Sequence, residues 1–466
     1  MIETLSAIVG SANVATGPDA AAWARDWTGK YEGVPAAVVR PASTDEVAAI
    51  LRVASEHRRA IVPVSGNTGL NGGAHAPGAL VLSLDRMRAI RGIDTAARTA
   101  EVQAGVVLAD LHAATEALDL IFPMTFGAKG SARIGGMIAT NAGGSNVLRY
   151  GSMRHLVLGL EAVMADGRVM RLMGGLHKDN TGLDLRQLLI GSEGTLGIVT
   201  AAVLKLAPKP RAFATAMVAA ASLPAALDLL NRLKDASVGS VEAFEYMPAS
   251  YIARHMAHIR GSREPFAERH EVNILVELGA TAARDATPGP DGRIPLAALL
   301  EAELEAALEA GLVLDATVAQ SEAQRREMWT RRENAAEITF TGEAVVDTDI
   351  AVPLSAVPAF FDHVRPAVAA LDPGATDLAV AHLGDGNVHY TVYPSREDPG
   401  LFAAIRATID DTAVSLGGSF SAEHGIGLSK LEALRRLKDP VALDAMRAIK
   451  RALDPQNILN PGKTIP

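Results

Sequence analysis

Along the first half of the chain, short and continuously apolar runs alternate with longer stretches whose apolar residues recur at helical spacing. "AAVVRP" (36–41) predicts a strand. "STDEVAAILRVASEHR" (43–58) predicts a helix that opens at Ser43, with Glu46 three residues on as the second half of a capping box. "AIVPVSG" (60–66) predicts a second strand that runs straight into "GNTGLNGGA". Further apolar runs stand at 79–84, 156–167 and 194–206. Proline and basic residues in "LAPKPRAF" (206–213) mark a boundary. Beyond it the strands "FATAMVAA" and "EVNILVEL" alternate with the helices "SLPAALDLLNRLKDA" and "LAALLEAELEAALEAG", and "TPGPDGR" (287–293) is a surface turn. The tail "DPQNILNPGK" (454–463) has the turn chemistry of an ordered segment, and no internal repeat is present.

With 466 residues the chain exceeds one ordinary core, so at least two domains are expected. A net charge of −9 without a basic cluster argues against a nucleic-acid partner. There is no cysteine, which excludes disulfides, thiolate nucleophiles and iron–sulfur clusters. No run approaches the ~20 apolar residues of a membrane helix. The N-terminus has Glu3 and no basic region, so a cytoplasmic protein is expected.

Glycine is concentrated in three loops: "PVSGNTGLNGGA" (63–74), "PMTFGAKGSARIGGMIATNAGGSNVLRYG" (123–151) and "IGSEGTLGIVT" (190–200). Glycine lets backbone N–H groups approach an anion closely. Any one such loop is as well read as a turn; three together suit a long ligand with a diphosphate and a flat ring. None spells the G-x-G-x-x-G of a dinucleotide fold after a first strand.

A second constellation lies late in the chain. In "AHLGDGNVHYTVY" (381–393), Gly384 and Gly386 break any helix, so His382 and His389 are expected on two strands joined by a tight turn, as cross-strand neighbours. Asp385 is expected to cap that turn. In "SAEHGIGLSK" (421–430), Glu423 supplies a carboxylate beside His424. Two imidazoles and one carboxylate form a common three-ligand metal set with an open position, which leaves His424 as a base. A lone histidine is more often a satisfied core or turn residue; the grouping favours ligation.

"GNTGLNGG", "GAKGSARIGG", "ATNAGG", "RYGS", "KDNTGLDLRQLLIGSEGTLGIVT", "HLGDGNVHY", "AEHGIG" and "NILNPGK", in this order, resemble the vanillyl-alcohol-oxidase-type (p-cresol-methylhydroxylase, PCMH-type) flavoproteins. Within these the chain is similar to the D-2-hydroxyacid dehydrogenases of D-lactate, glycolate and D-2-hydroxyglutarate. The resemblance runs from about residue 36 to the C-terminus, and "NTGL" and "GAKGS" tilt it toward the D-2-hydroxyglutarate side.

The resemblance implies an α+β fold. A two-subdomain FAD-binding domain would occupy 1–208, an antiparallel-sheet substrate cap 209–415, and a return to the FAD domain 416–466. It implies non-covalent FAD with Pro63, Ser65, Gly66, Asn67, Thr68 and Gly69 at the pyrophosphate. Pro123, Thr125, Gly127, Ser131, Gly135, Gly136, Asn141 and Gly144 would wrap the rest, and the backbone around Gly194 and Ile198 would meet the flavin ring. It implies a divalent ion, zinc first with manganese or iron acceptable, on His382, His389 and Glu423, and His424 as general base. Arg332 of "MWTRRENAAE" would grip the substrate carboxylate, while Arg331 is read as a solvated helix residue. Electrons would pass to an electron-transferring flavoprotein or a quinone, and a homodimer is compatible with the family.

One departure bears on substrate. Relatives that oxidise D-2-hydroxyglutarate carry a threonine four residues after the arginine, and a lysine two residues before the aspartate of a "D-hydrophobic-S-L-P" phrase. Here Ala336 and Asp347 stand at those positions. The expectation is a D-2-hydroxy monocarboxylate such as D-lactate, with D-2-hydroxyglutarate as the alternative. A metal-dependent hydrolase would leave the glycine loops unexplained, and a flavin-binding regulatory protein would leave the metal set and Arg332 unexplained.

Overall fold

The computed structural model describes residues 1–466, which form two compact units. The first unit holds residues 1–143, 151–208 and 423–466; the second holds 144–150 and 209–422. The final return to the first unit thus begins at Glu423, and a seven-residue excursion, Gly144–Tyr150, belongs to the second unit although it interrupts the first in sequence.

In the first unit, strands Ala37–Val39, Leu80–Ser83 and Ile61–Val64 pair in parallel, and Val14–Ala15 adds antiparallel to the outer edge. The helix Thr44–Glu56 starts where the capping pair places it. The Ser43 hydroxyl accepts from Glu46 N–H at 3.2 Å, and the Glu46 carboxylate accepts from Ala42 N–H at 2.7 Å. Its apolar stripe, Val47, Ile50, Leu51 and Ala54, is buried against the parallel strands. A second, antiparallel sheet has the order Ile90–Asp94, Thr99–Gln103, Ile198–Lys205, Val157–Val163, Val169–Leu172. The C-terminal tail is stitched beside the Ile61 strand: Ile61 N–H donates to Ile458 O and Asn460 N–H to Ile61 O, at 2.7 and 2.8 Å.

The second unit is built on a seven-stranded antiparallel sheet. Its order is Val313–Val318, Ala212–Ala220, Val272–Ala280, Val241–Pro248, Thr376–His382, Asn387–Tyr393, Val346–Ala351. Alternate side chains point to opposite faces. One face carries Val276, Phe244, Ala381, Val388, Tyr390 and Ile350 into a large apolar core roofed by the helices Leu223–Ala236, Pro295–Glu309, Val357–Leu371 and Pro399–Ser415. The other face carries Met217, Leu275, Met247 and Val380 against the helices Ala249–His258 and Glu322–Glu333. No helix of the chain is long and apolar enough to cross a membrane.

Candidate active site

The three glycine loops come together within the first unit. A Cβ on Gly66 of the first loop would fall 2.3 Å from Ser131 O of the second, and one on Gly194 of the third would fall 2.3 Å from Pro63 of the first. Gly136 lies against Ser65, and Gly135 against Ala104. Glu193 N–H donates to Ala139 O at 2.8 Å, which ties the third loop to the second. Asn67 and Gly194 both hold positive φ, a conformation that costs glycine nothing and that asparagine tolerates. The strand leading into the first loop is largely buried, yet none of Ser65–Asn71 is fully buried. Gly144 begins the excursion into the second unit, and the Ile198 side chain packs in the apolar core. A continuous rim of closely packed backbone with half-open polar positions is the chemistry a dinucleotide cofactor requires.

Glu423 and His424 meet this rim. A Cβ on Gly143 of the second loop would lie 2.6 Å from Glu423 Oε1. The Asn71 side chain donates to His424 O at 2.9 Å and to Gly425 O at 2.8 Å. The Glu193 carboxylate accepts from Ile426 and Gly427 N–H at 2.7 and 3.0 Å. Burial pushes the Glu193 carboxyl up, against the pull of those two amides.

In the second unit, Thr376–His382 and Asn387–Tyr393 form the hairpin, and Asn387 N–H donates to Asp385 Oδ1 at 3.1 Å across its turn. His382 lies opposite Asn387 in the register, and His389 opposite Val380. The two histidines are therefore diagonal rather than directly opposed neighbours, with ring centroids 5.5 Å apart on one face. Glu245, on the neighbouring strand in register with His382, places its carboxylate 2.8 Å from His382 Nδ1 and 2.7 Å from Arg332 Nε. Burial alone would raise the Glu245 carboxyl; the His382 and Arg332 charges override it and hold it down at about 2. Nδ1 of His382 is thus engaged by a carboxylate, and Arg332 Nη2 lies 3.4 Å from both of its ring nitrogens. His389 is register partner to Asp349, whose carboxylate accepts from the Asn387 side chain at 3.0 Å.

Arg332 is 8% exposed; its Nε donates to Glu245 and its Nη2 meets His382 at 3.4 Å. Arg331, expected in solvent, is 4% exposed instead. Its Nη2 donates to Arg263 O, and Tyr251 OH donates to its carbonyl, because this end of the helix is packed beneath the 251–263 segment. Asp347 accepts from Thr391 Oγ1 at 2.8 Å and shares the strand face of Asp349 and His389. Glu245, Asn71 and Glu193 are not singled out by the sequence patterns. An acid in the otherwise apolar run "FEYM" is the available signal for the first.

The chain is similar to known proteins over most of its length. Residues 35–173 match an FAD binding domain, and 209–464 match the domain described as FAD linked oxidases, C-terminal domain. D-2-hydroxyglutarate dehydrogenase, mitochondrial, of Bos taurus is 38% identical over 95% of this chain and 79% of its own length. The proteins named D-2-hydroxyglutarate dehydrogenase from Xanthomonas citri pv. viticola and Stutzerimonas stutzeri are 36% and 35% identical, over 95% and 99% of this chain and 91% and 98% of theirs. Among solved structures, p-cresol methylhydroxylase with substrate bound superposes with a TM-score of 0.75 at 17% identity, over 99% of this chain and 96% of that one. The 4-ethylphenol oxidase from Gulosibacter chungangensis gives 0.73 at 18%, over the same shares. The fold is that of the PCMH-type flavoproteins, and the chain belongs to the FAD-dependent D-2-hydroxyacid dehydrogenase family within the FAD-linked oxidases.

Proposed function

We propose that this protein oxidises a D-2-hydroxy acid to the 2-oxo acid, with non-covalent FAD and a divalent cation on His382, His389 and Glu423. The observation that carries the reading is the convergence of all three glycine loops on the segment holding Glu423 and His424. The donor set favours the cation: two imidazoles, one already backed by Glu245, with a carboxylate. Zinc fits such a set, and manganese or iron(II) would also accept it. Ala422, the residue before Glu423, donates its N–H to Asp349 O at 3.2 Å, beside His389 in the register.

When bound, FAD supplies the acceptor for the C2 hydride and the cation lowers the pKa of the substrate hydroxyl. Arg332 grips the substrate carboxylate, held in place by its ion pair with Glu245. His424 takes the hydroxyl proton on its imidazole. The electrons then leave to an external acceptor, an electron-transferring flavoprotein or a quinone.

D-2-hydroxyglutarate is the first substrate to try, because the relatives above carry that name. One observation favours the second reading, a monocarboxylate of the D-lactate type: Asp347, an anion, lies on the same strand face as His389, two residues from its register partner. Anaerobic mixing of the yellow protein with D- and L-forms of lactate, 2-hydroxybutyrate, mandelate and 2-hydroxyglutarate tests the proposal. Loss of the ~450 nm flavin band with D-acids is expected; a band untouched by every acid overturns it.

A further inference from the structure

Asn71 and Glu193 stand in two different glycine loops. Both side chains bond one short segment. Asn71 holds the carbonyls of His424 and Gly425 through Nδ2, takes the Ser429 hydroxyl on Oδ1 at 2.8 Å, and accepts Leu428 N–H on its own carbonyl at 2.7 Å. Glu193 holds the next two amides, Ile426 and Gly427, one on each carboxylate oxygen. Every residue from His424 to Ser429 is therefore bonded to one loop or the other. The fit is close as well as bonded. Gly427 has φ +52°, and a Cβ there would fall 2.1 Å from Asn71 O; one on Gly425 would fall 2.7 Å from Glu193 Oε1.

The clamp also sits on a tightly packed stretch of the third loop. Glu193 holds φ +50°, an uncommon conformation for a residue with a Cβ, and its neighbour Gly194 leaves no room for a Cβ beside Pro63 of the first loop. Asn460 from the C-terminal tail bridges the same two loops, donating to Gly73 O at 3.1 Å and to Glu193 O at 2.8 Å. Any shift of the first loop relative to the third must pass into the segment both of them hold.

We propose that Asn71 and Glu193 are positioning residues that couple FAD occupancy of the glycine loops to the placement of the His424 segment, so that the base is set only when the cofactor is in. The inference rests on the reading of His424 as the base, but its coupling part stands on FAD binding alone. A misplacement of about 1 Å in a catalytic group can cost ~10²-fold in rate, which makes such coupling an effective guard against proton abstraction without a hydride acceptor.

Hydrogen exchange of the peptide covering residues 424–430, measured with and without FAD, is the test. In the wild type FAD should slow exchange of these amides at least tenfold. Asn71→Asp keeps the volume but replaces the donor that faces two carbonyls; Glu193→Gln keeps one acceptor and loses the other. Both should bind FAD within about tenfold of wild type, lose most of the FAD-dependent protection, and lower kcat ~10²-fold with KM changed far less. Slow exchange of 424–430 already present without FAD overturns the coupling, as do variants with wild-type protection and kcat. If no hydroxy acid reduces the wild-type flavin, the role of His424 fails while the exchange result still decides the coupling. Should a variant not fold, exchange of the wild-type protein with and without FAD decides the coupling by itself.

Discussion

The Glu245 carboxylate lies 2.8 Å from Nδ1 of His382, although 137 residues separate the two in sequence. Antiparallel pairing of their strands at this one register point makes the contact. A histidine backed in this way keeps one tautomer and one ring orientation, and loss of such a partner typically costs 10–100-fold in metal affinity. If His382 ligates a cation, Glu245→Gln should weaken the binding of added zinc by about that factor, read by competition with a chelating dye, and leave flavin absorbance intact. Undiminished zinc affinity would separate Glu245 from the metal. His424→Ala should instead keep both metal and flavin and lose ~10²–10⁴-fold in turnover.

Gly66→Ala and Gly194→Ala each force a Cβ into an atom 2.3 Å away, a backbone oxygen in one case and a proline ring in the other. The loops must open to accommodate either. Purified variants should be colourless or need far more added FAD, with far-ultraviolet circular dichroism unchanged. Full yellow colour in both would show that these loops do not hold the cofactor.

Asp347 gives a substrate test. Two carboxylates ~4 Å apart at an effective dielectric near 20 repel by roughly 4 kcal/mol, an upper figure where water enters. Asp347→Lys should raise kcat/KM for D-2-hydroxyglutarate relative to D-lactate by at least tenfold. A wild-type enzyme that prefers the dicarboxylate, with a ratio unmoved by the substitution, would place Asp347 away from the substrate.

His255 makes stability depend on pH. Burial, with the Arg331 charge adding to it, lowers its pKa from 6.5 to about 4. Its Nδ1 meets Ser262 Oγ at 2.8 Å and its Nε2 has no partner to stabilise a proton. Between these two pH values the unfolded chain binds a proton that the folded chain refuses, so this contribution is whole above pH 6.5 and drains away as pH falls toward 4. The melting temperature should fall across that window, and His255→Gln should flatten the slope. An equal slope in the variant would assign the acid sensitivity to other groups.

Local rules made much of this legible. The Ser43–Glu46 pair, the apolar periodicity of 44–56 and the Gly-Asp-Gly turn each act within a few residues, so their consequences can be read from the chain directly. The glycine loops were legible for a different reason: close backbone approach leaves glycine as the only residue that fits. What stayed hidden depends on long-range pairing. Glu245 reaches His382 only through strand register, and Asn71 reaches His424 across 353 residues. Arg331 and Arg332 are neighbours of identical type; the packing of the 251–263 segment takes the former inside, and the buried Glu245 carboxylate the latter.

The excursion Gly144–Tyr150 constrains how such a chain can be inherited. Inside the second unit, Glu242 is 3% exposed and accepts from Arg149, Tyr150 and Asn146, all supplied by that excursion. A fragment of residues 209–422 made alone would bury this carboxylate without its partners, a defect typically worth ~3–5 kcal/mol. Recombination that swaps the cap between relatives as one stretch of gene would bring a carboxylate to a foreign Arg149. Substrate range in such a fold can drift residue by residue, but replacement of the second unit needs two separate stretches exchanged, one of them inside a glycine loop.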